Sequence, residues 1–180
     1  MDLQIEHRPA LDDALRRELV RIWVDATNAG GALGLVAPTD DAAAQVLARP
    51  TWARVEAGTD DLVVGRLAGR VVGWYVLEAR SGPLSPHWRT LKRLQVHPDL
   101  QGSGYGSALL VSADDVGTRL GLRALHLTVR GGTGTEAFYL RHGYREVGRL
   151  PGALRLSEDD LRDELHLWRD LKGTPGRPPS

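Results

Sequence analysis

The run Gln101-Gly102-Ser103-Gly104-Tyr105-Gly106 limits what this chain can fold into more than any other stretch. Ahead of it, Trp88 to Val96 alternates in the manner of a strand, and Pro98-Asp99 ends that alternation. Behind it, Leu109, Ala113, Val116 and Leu120 are spaced as the inner face of a helix, closed by Gly121, and Arg123 to Arg130 then reads as another strand. Strand, glycine turn, helix and strand in that order make one βαβ crossover. The glycines admit positive φ and keep Cβ atoms away from anything lying on the turn. The first-turn N–H groups of the helix point at the same spot, and the helix dipole adds positive potential there. The turn therefore suits a phosphate or pyrophosphate, with Ser107 as a further hydroxyl donor. A Walker loop would need Gly-Lys-Ser/Thr, and no lysine follows. A dinucleotide fingerprint would need Gly-x-Gly-x-x-Gly directly after the strand and an acidic residue ending the next one; here the spacing is Gly-x-Gly-x-Gly and the next strand ends in Val129-Arg130. On the glycines alone, an ordinary strand-to-helix turn remains the alternative.

The remaining elements follow from periodicity. Leu3 and Ile5 mark a short first strand. Leu11, Leu15, Leu19, Ile22, Trp23 and Ala26 mark a helix stopped by Asn28-Ala29-Gly30-Gly31. A second helix starts after Pro38, capped by Thr39 or Asp40, and Pro50 is expected to break or kink it. Asp61 to Leu67 and Arg70 to Arg80 read as strands joined by a hairpin turn at Ala68-Gly69. Ser81 to Pro86 is a loop. A short helix spans Thr135 to His142, then come a strand at Tyr144 to Leu150, a loop at Pro151 to Asp160 and a last strand at Leu161 to Leu171. This order predicts one α/β domain over 1–172, with a mixed sheet covered on both faces. The tail 173–180, with three prolines, is expected to be disordered.

Composition narrows the function classes. With 180 residues, 42% hydrophobic and 26% charged, the chain has the profile of one globular domain. Lys+Arg and Asp+Glu are equal at 23 each, which argues against wholesale nucleic-acid binding. The absence of cysteine excludes a disulfide framework, a thiolate zinc site and a Cys nucleophile, and no His/Asp/Glu cluster has metal-ligand spacing. Met1 to Glu6 lacks a basic start before an apolar run, so no signal peptide is expected. No run of apolar residues is long enough for a membrane span, and the cytoplasm is the expected compartment.

The segment Leu94 to Leu110, Leu-Gln-Val-His-Pro-Asp-Leu-Gln-Gly-Ser-Gly-Tyr-Gly-Ser-Ala-Leu-Leu, resembles the cofactor motif of the GNAT superfamily of N-acetyltransferases. The core Gln/Arg-x-x-Gly-x-Gly/Ala is matched by Gln101, Gly104 and Gly106. A second family motif is similar to Ala137-Phe138-Tyr139 followed by Gly143-Tyr144-Arg145-Glu146-Val147-Gly148. The resemblance covers roughly Leu3 to Leu171. It implies a seven-stranded sheet with about four helices and a splayed central strand pair, and acetyl-CoA as donor. Leu94, Gln95 and Val96 would lie on a bulged strand along the pantetheine, with a backbone N–H near Val96 facing the thioester oxygen. The pyrophosphate would rest on Gln101, Gly102, Ser103, Gly104, Tyr105, Gly106 and Ser107. Tyr139 falls at the position of the family's general acid, against its plainer reading as a core tyrosine. Many members carry an Asn several residues earlier. Here that stretch is Arg130 to Thr135, where Thr133 or backbone amides would substitute.

The acceptor amine must lose a proton before attack. The family has no fixed base; Glu78, His87, Thr90 and Lys92 are candidates, and Glu78 is the preferred one, against its plainer reading as a solvated strand end. His97 reads as a surface residue, and His126 and His166 as satisfied histidines in strands. The loop Asn28 to Pro38 would line the acceptor mouth, with Asp25, Asp40 and Asp41 nearby to attract a cation. The expected activity is transfer of acetyl to a primary amine without a covalent enzyme intermediate. The acceptor would be a small amine, an antibiotic or toxin, or a protein amine. A non-catalytic acyl-CoA-binding module is the alternative, and a different nucleotide at the turn a third. A homodimer through the last strand, using Leu165, Leu167 and Trp168, is also expected.

Overall fold

The computed structural model describes residues 3–31 and 34–171, so the tail lies outside the described residues. Seven strands form one sheet: β1 (Gln4–His7), β2 (Asp61–Leu67), β3 (Arg70–Ala79), β4 (Trp88–Val96), β5 (Ala124–Arg130), β6 (Arg145–Arg155) and β7 (Leu161–Asp170), in the order β1-β2-β3-β4-β5-β7-β6. The helices are α1 (Asp13–Asn28), α2 (Asp41–Glu56), α3 (Tyr105–Arg119) and α4 (Thr135–Arg141), with a 3-10 turn at Pro98–Leu100. The β4–β5 pair is parallel, while β1–β2, β2–β3, β5–β7 and β6–β7 are antiparallel. This is the mixed α/β fold expected from the sequence.

By packing, the chain divides into two compact units, Met1–Ala79 with Leu91–Ala113, and Arg80–Thr90 with Asp114–Ser180. In the first, α1 begins where Asp12 caps it, its carboxylate accepting from the Leu15 amide at 2.8 Å. One face of α1 (Leu15, Leu19, Ile22, Trp23) and Ala44, Ala48 and Trp52 of α2 pack on Leu62, Val64, Trp74 and Val76 of the sheet. Trp74 sits between Trp23 (6.4 Å, edge-on) and Trp52 (5.6 Å, tilted), and its indole N–H donates to the Leu19 carbonyl at 3.1 Å. A buried Trp whose one polar atom is paired contributes both area and orientation.

Three expectations need correction. Of the break or kink expected at Pro50, the break does not occur: α2 continues to Glu56. The missing N–H removes one intrahelical bond, but Ala44, Ala48, Thr51 and Trp52 on either side stay buried, and that packing outweighs the local cost. Asp40 is the cap, accepting from the Ala43 amide at 2.9 Å.

The second correction lies in the other unit, where β6 runs through Pro151 to Arg155, across the first half of the expected loop. Its register shifts between Leu150 and Leu154, and Gly152 (φ +61) is tied through its amide to Asp163 at 3.0 Å. An edge strand tolerates a proline because one side of it has no ladder to supply. Thirdly, Leu165 and Leu167 are 2% and 0% exposed within the chain's own core, so they are not available to a second copy. Trp168 is half-buried against Trp88, ring centroids 5.3 Å apart.

Replacing Trp74 by Ala should cost about 3–5 kcal/mol of unfolding free energy. Urea denaturation followed by circular dichroism would check it, and a loss below about 1 kcal/mol would contradict this description of the core.

Candidate functional site

In the first unit the site begins on β4. Arg93 has φ +55, a left-handed residue inside a strand and the kind of conformation that bulges use. For a non-glycine residue this costs about 1–2 kcal/mol, so its surroundings must hold it. Beyond it, Leu94 is half-buried, while Gln95 and Val96 are 4% and 7% exposed. Gly73 on β3 makes room for this segment: a Cβ there would come within 2.7 Å of Leu109 Cδ1 and 3.2 Å of Val96 Cα. The His97 amide donates to the Val72 carbonyl at 2.8 Å, closing β4 against β3. Gln95 is a buried anomaly, since neither its side-chain oxygen nor its nitrogen has a hydrogen-bond partner among the described residues. Such a group left unpaired costs about 1–3 kcal/mol, so a polar ligand at this place is favoured.

The chain then folds back on itself through the 3-10 turn. Gln101 Nε2 donates to the Val96 carbonyl at 3.1 Å, which fixes the glycine turn relative to the end of β4. Gly102 and Gly104 have φ of +78 and +85, and a Cβ on either would meet nothing within 4 Å. Backbone conformation, not crowding, is therefore what these two positions require. Residues 101 to 104 are exposed, and the first turn of α3 carries no acidic side chain. The first α3 bond here runs from the Ala108 amide to the Gly104 carbonyl at 3.0 Å, so the amides of Tyr105, Gly106 and Ser107 precede the intrahelical ladder. The result is an open, non-repelling anion cradle.

Glu78, the preferred base, lies near the end of β3 with an oxygen 3.0 Å from Lys92 Nζ. Its charge also acts on Arg54 and Arg93, so three cations surround it. Asp25 is half-buried on α1, and Asp40 serves as the α2 cap. The two ends of the α1–α2 connection are clamped: Asn28 donates to the Thr39 carbonyl and accepts from its amide, both at 3.0 Å.

In the second unit, the β4–β5 ladder comprises Trp88↔Ala124, Arg89↔Leu125 and Thr90↔His126. Tyr139 on α4 is 8% exposed and packs edge-on against Phe138 (5.1 Å) and Tyr144 (5.7 Å). Burial pushes its phenol up to about 12 from 10.0, so it remains a neutral O–H donor throughout the working pH range. Thr133 is engaged within its own loop, its hydroxyl donating to the Arg130 carbonyl at 3.0 Å and lying 3.0 Å from Thr135 Oγ1. On either side of that loop, Arg130 Nε at the end of β5 and Glu136 Oε2 in the first turn of α4 are buried without a partner among the described residues. His126 and His166 are paired with each other, Nε2 to Nδ1 at 3.1 Å, which matches their reading as satisfied histidines. His87 is exposed, and His97 accepts from the Asp99 amide at 3.3 Å. Among the described residues no group of three or more His, Asp or Glu could hold a metal ion.

Against known proteins, the family profile of the acetyltransferase (GNAT) domain matches residues 58–146, which include the first motif and the second as far as Glu146. The chain is a member of the GNAT superfamily. Solved GNAT folds overlay nearly all of it. A candidate phosphinothricin N-acetyltransferase superposes with a TM-score of 0.78 at 21% identity, covering 94% of this chain and 99% of that one. The ribosomal-protein-alanine N-acetyltransferase of Brucella melitensis gives 0.75 at 20%, covering 93% and 99%. The yncA protein of Salmonella typhimurium, a candidate acetyltransferase solved with its cofactor acetyl-CoA, gives 0.74 at 18%, covering 97% and 96%. At such identities the likeness is one of fold. Arg93 and Gly73 are the residues of this GNAT site that sequence reasoning missed. A glycine inside the β3 pattern is the signal that could have found Gly73; nothing in the sequence marks Arg93.

The raised phenol of Tyr139 also has a stability consequence. Between pH 10.0 and about 12 the unfolded chain ionises this tyrosine while the folded chain does not. Its contribution, fully present below pH 10.0, is therefore lost as pH rises through that window. Urea midpoints measured for wild type and Tyr139→Phe on either side of pH 10.0 should show a smaller alkaline loss in the variant. Equal losses would place Tyr139 in an exposed setting.

Proposed function

We propose that this GNAT protein transfers the acetyl group of acetyl-CoA to a primary amine by direct attack of the amine on the thioester carbon. The observation that carries the reading is the turn at 101–104: glycines at positive φ, open to solvent, ahead of a helix whose first-turn amides precede its own ladder. Amides so placed receive a diphosphate without a lysine. The unpaired amide of Gln95 is the further sign of fit, because pantetheine presents amide groups to match it. The acetyl-CoA bound by yncA supports the same donor.

Each residue then has a defined task. Gln101 to Ser107 bind and orient the diphosphate. A backbone N–H within Leu94–Val96 donates to the thioester oxygen, where charge develops during attack. Tyr139, kept neutral by burial, donates its proton to the departing thiolate. Glu78 already accepts one primary ammonium, that of Lys92. It serves as base once the acceptor's amine takes that place. The acceptor is accordingly an amine on a flexible stem, with the small-molecule and protein classes both open.

The Glu78–Lys92 pair also favours a second reading, a module that binds acyl-CoA without turning it over, since the carboxylate is engaged. Calorimetry with CoA, and an amine panel read by mass gain, separate the two: tight binding with no transfer to any amine would select the module. Under the transfer reading, Tyr139→Phe lowers kcat by about 100-fold or more and leaves acetyl-CoA affinity within about twofold. Thiol release is the assay, and undiminished turnover would remove Tyr139 from its role. Glu78→Gln should lower kcat by about 100-fold or more in the same assay; undiminished turnover would move the base elsewhere.

A further inference from the structure

Arg93 takes a conformation that L-residues seldom hold unless the surroundings impose it. Three contacts impose it here, all within the first unit. The guanidinium lies over the ring of Trp23, 4.5 Å from its centroid. Its NH1 donates to Thr51 Oγ1 at 2.6 Å and its NH2 to the Leu47 carbonyl at 3.3 Å. Trp23 is on α1, whereas Leu47 and Thr51 are on α2, flanking Pro50, so one side chain from β4 is tied to both helices. Trp23 is 1% exposed and Thr51 9%, which makes these anchors rigid. Burial lowers the Arg93 pKa, the nearby charge of Glu78 offsets only part of that, and a guanidinium stays charged regardless. The residues directly after it are Leu94, Gln95 and Val96.

We propose that Arg93 is a positioning residue: its guanidinium, clamped by Trp23, Thr51 and Leu47, sets the backbone direction of Leu94–Val96 and so aims the amide that receives the thioester oxygen. The inference rests on the transfer reading above and assigns Arg93 no contact with substrate. The clamp and the backbone angle can be separated by substitution. Alanine removes the clamp and keeps the conformational cost of positive φ. Glycine removes the clamp and takes positive φ freely. Lysine keeps the charge but cannot stack flat while serving two acceptors.

The test compares wild type with Arg93→Ala, Arg93→Gly and Arg93→Lys in two assays: steady-state transfer, and hydrogen exchange of the Leu94–Val96 amides in the ligand-free protein. The clamp predicts a kcat lowered about 10- to 100-fold in both Ala and Gly variants, with partial recovery in Lys. The KM for acetyl-CoA stays within about threefold, because the turn at 101–107 keeps its own tie through Gln101. Exchange at Leu94–Val96 rises in both the Ala and Gly variants. Wild-type turnover in Arg93→Gly would overturn the proposal by showing that the angle alone suffices, and so would unchanged exchange at Leu94–Val96. If Arg93→Ala fails to fold, Thr51→Val removes the 2.6 Å acceptor in its place and should raise the same exchange. Should wild type transfer acetyl to no amine, the transfer reading fails while the exchange assay still decides the role of Arg93.

Discussion

A helix that starts inside a glycine turn leaves N–H groups that the helix itself cannot bond. In α3 these belong to Tyr105, Gly106 and Ser107, and nothing acidic in the first turn competes for them. Three contacts of the first unit place that set of donors. Gln101 ties the turn to the Val96 carbonyl, and the His97 amide ties the end of β4 to Val72. Gly73 lets β3 come close enough for that bond. The glycines at 102 and 104 thus have a backbone purpose, whereas the glycine at 73 has a packing purpose.

Much of this was legible in the sequence because it depends on local chemistry. Helix faces, the Asp40 cap, the Ala68-Gly69 hairpin and the Gly-rich turn are each set by residues within a few positions of one another. The errors share the opposite origin. Pro50 is a helix breaker by propensity, but burial of Ala48, Thr51 and Trp52 keeps α2 intact. Pro151 marks a loop by composition, but it falls on an edge strand at the place where the ladder to β7 shifts register, between Leu150 and Leu154. Leu165 and Leu167 could be counted as apolar, yet their direction depends on pairing with β5, which no single stretch reveals.

The candidate site was readable to the same degree. Its glycines and Tyr139 stand in motifs, and the burial that keeps the phenol protonated follows from Phe138 and Tyr144 beside it. The strain at Arg93 and the Glu78–Lys92 pair were not readable, because they join residues far apart in sequence: Arg93 to Trp23 and Thr51, and Glu78 to Lys92 on the neighbouring strand. A carboxylate counted as a free base thus turns out to hold an ammonium already.

The central claim is that the unbonded amides at the head of α3 hold a diphosphate. Backbone amide resonances followed during titration with CoA, and separately with pantetheine, test it most directly. The account predicts that Gly102, Gly104, Gly106 and Ser107 shift with CoA and stay in place with pantetheine, which lacks the diphosphate. Equal shifts with both ligands, or shifts confined to other residues, would contradict it.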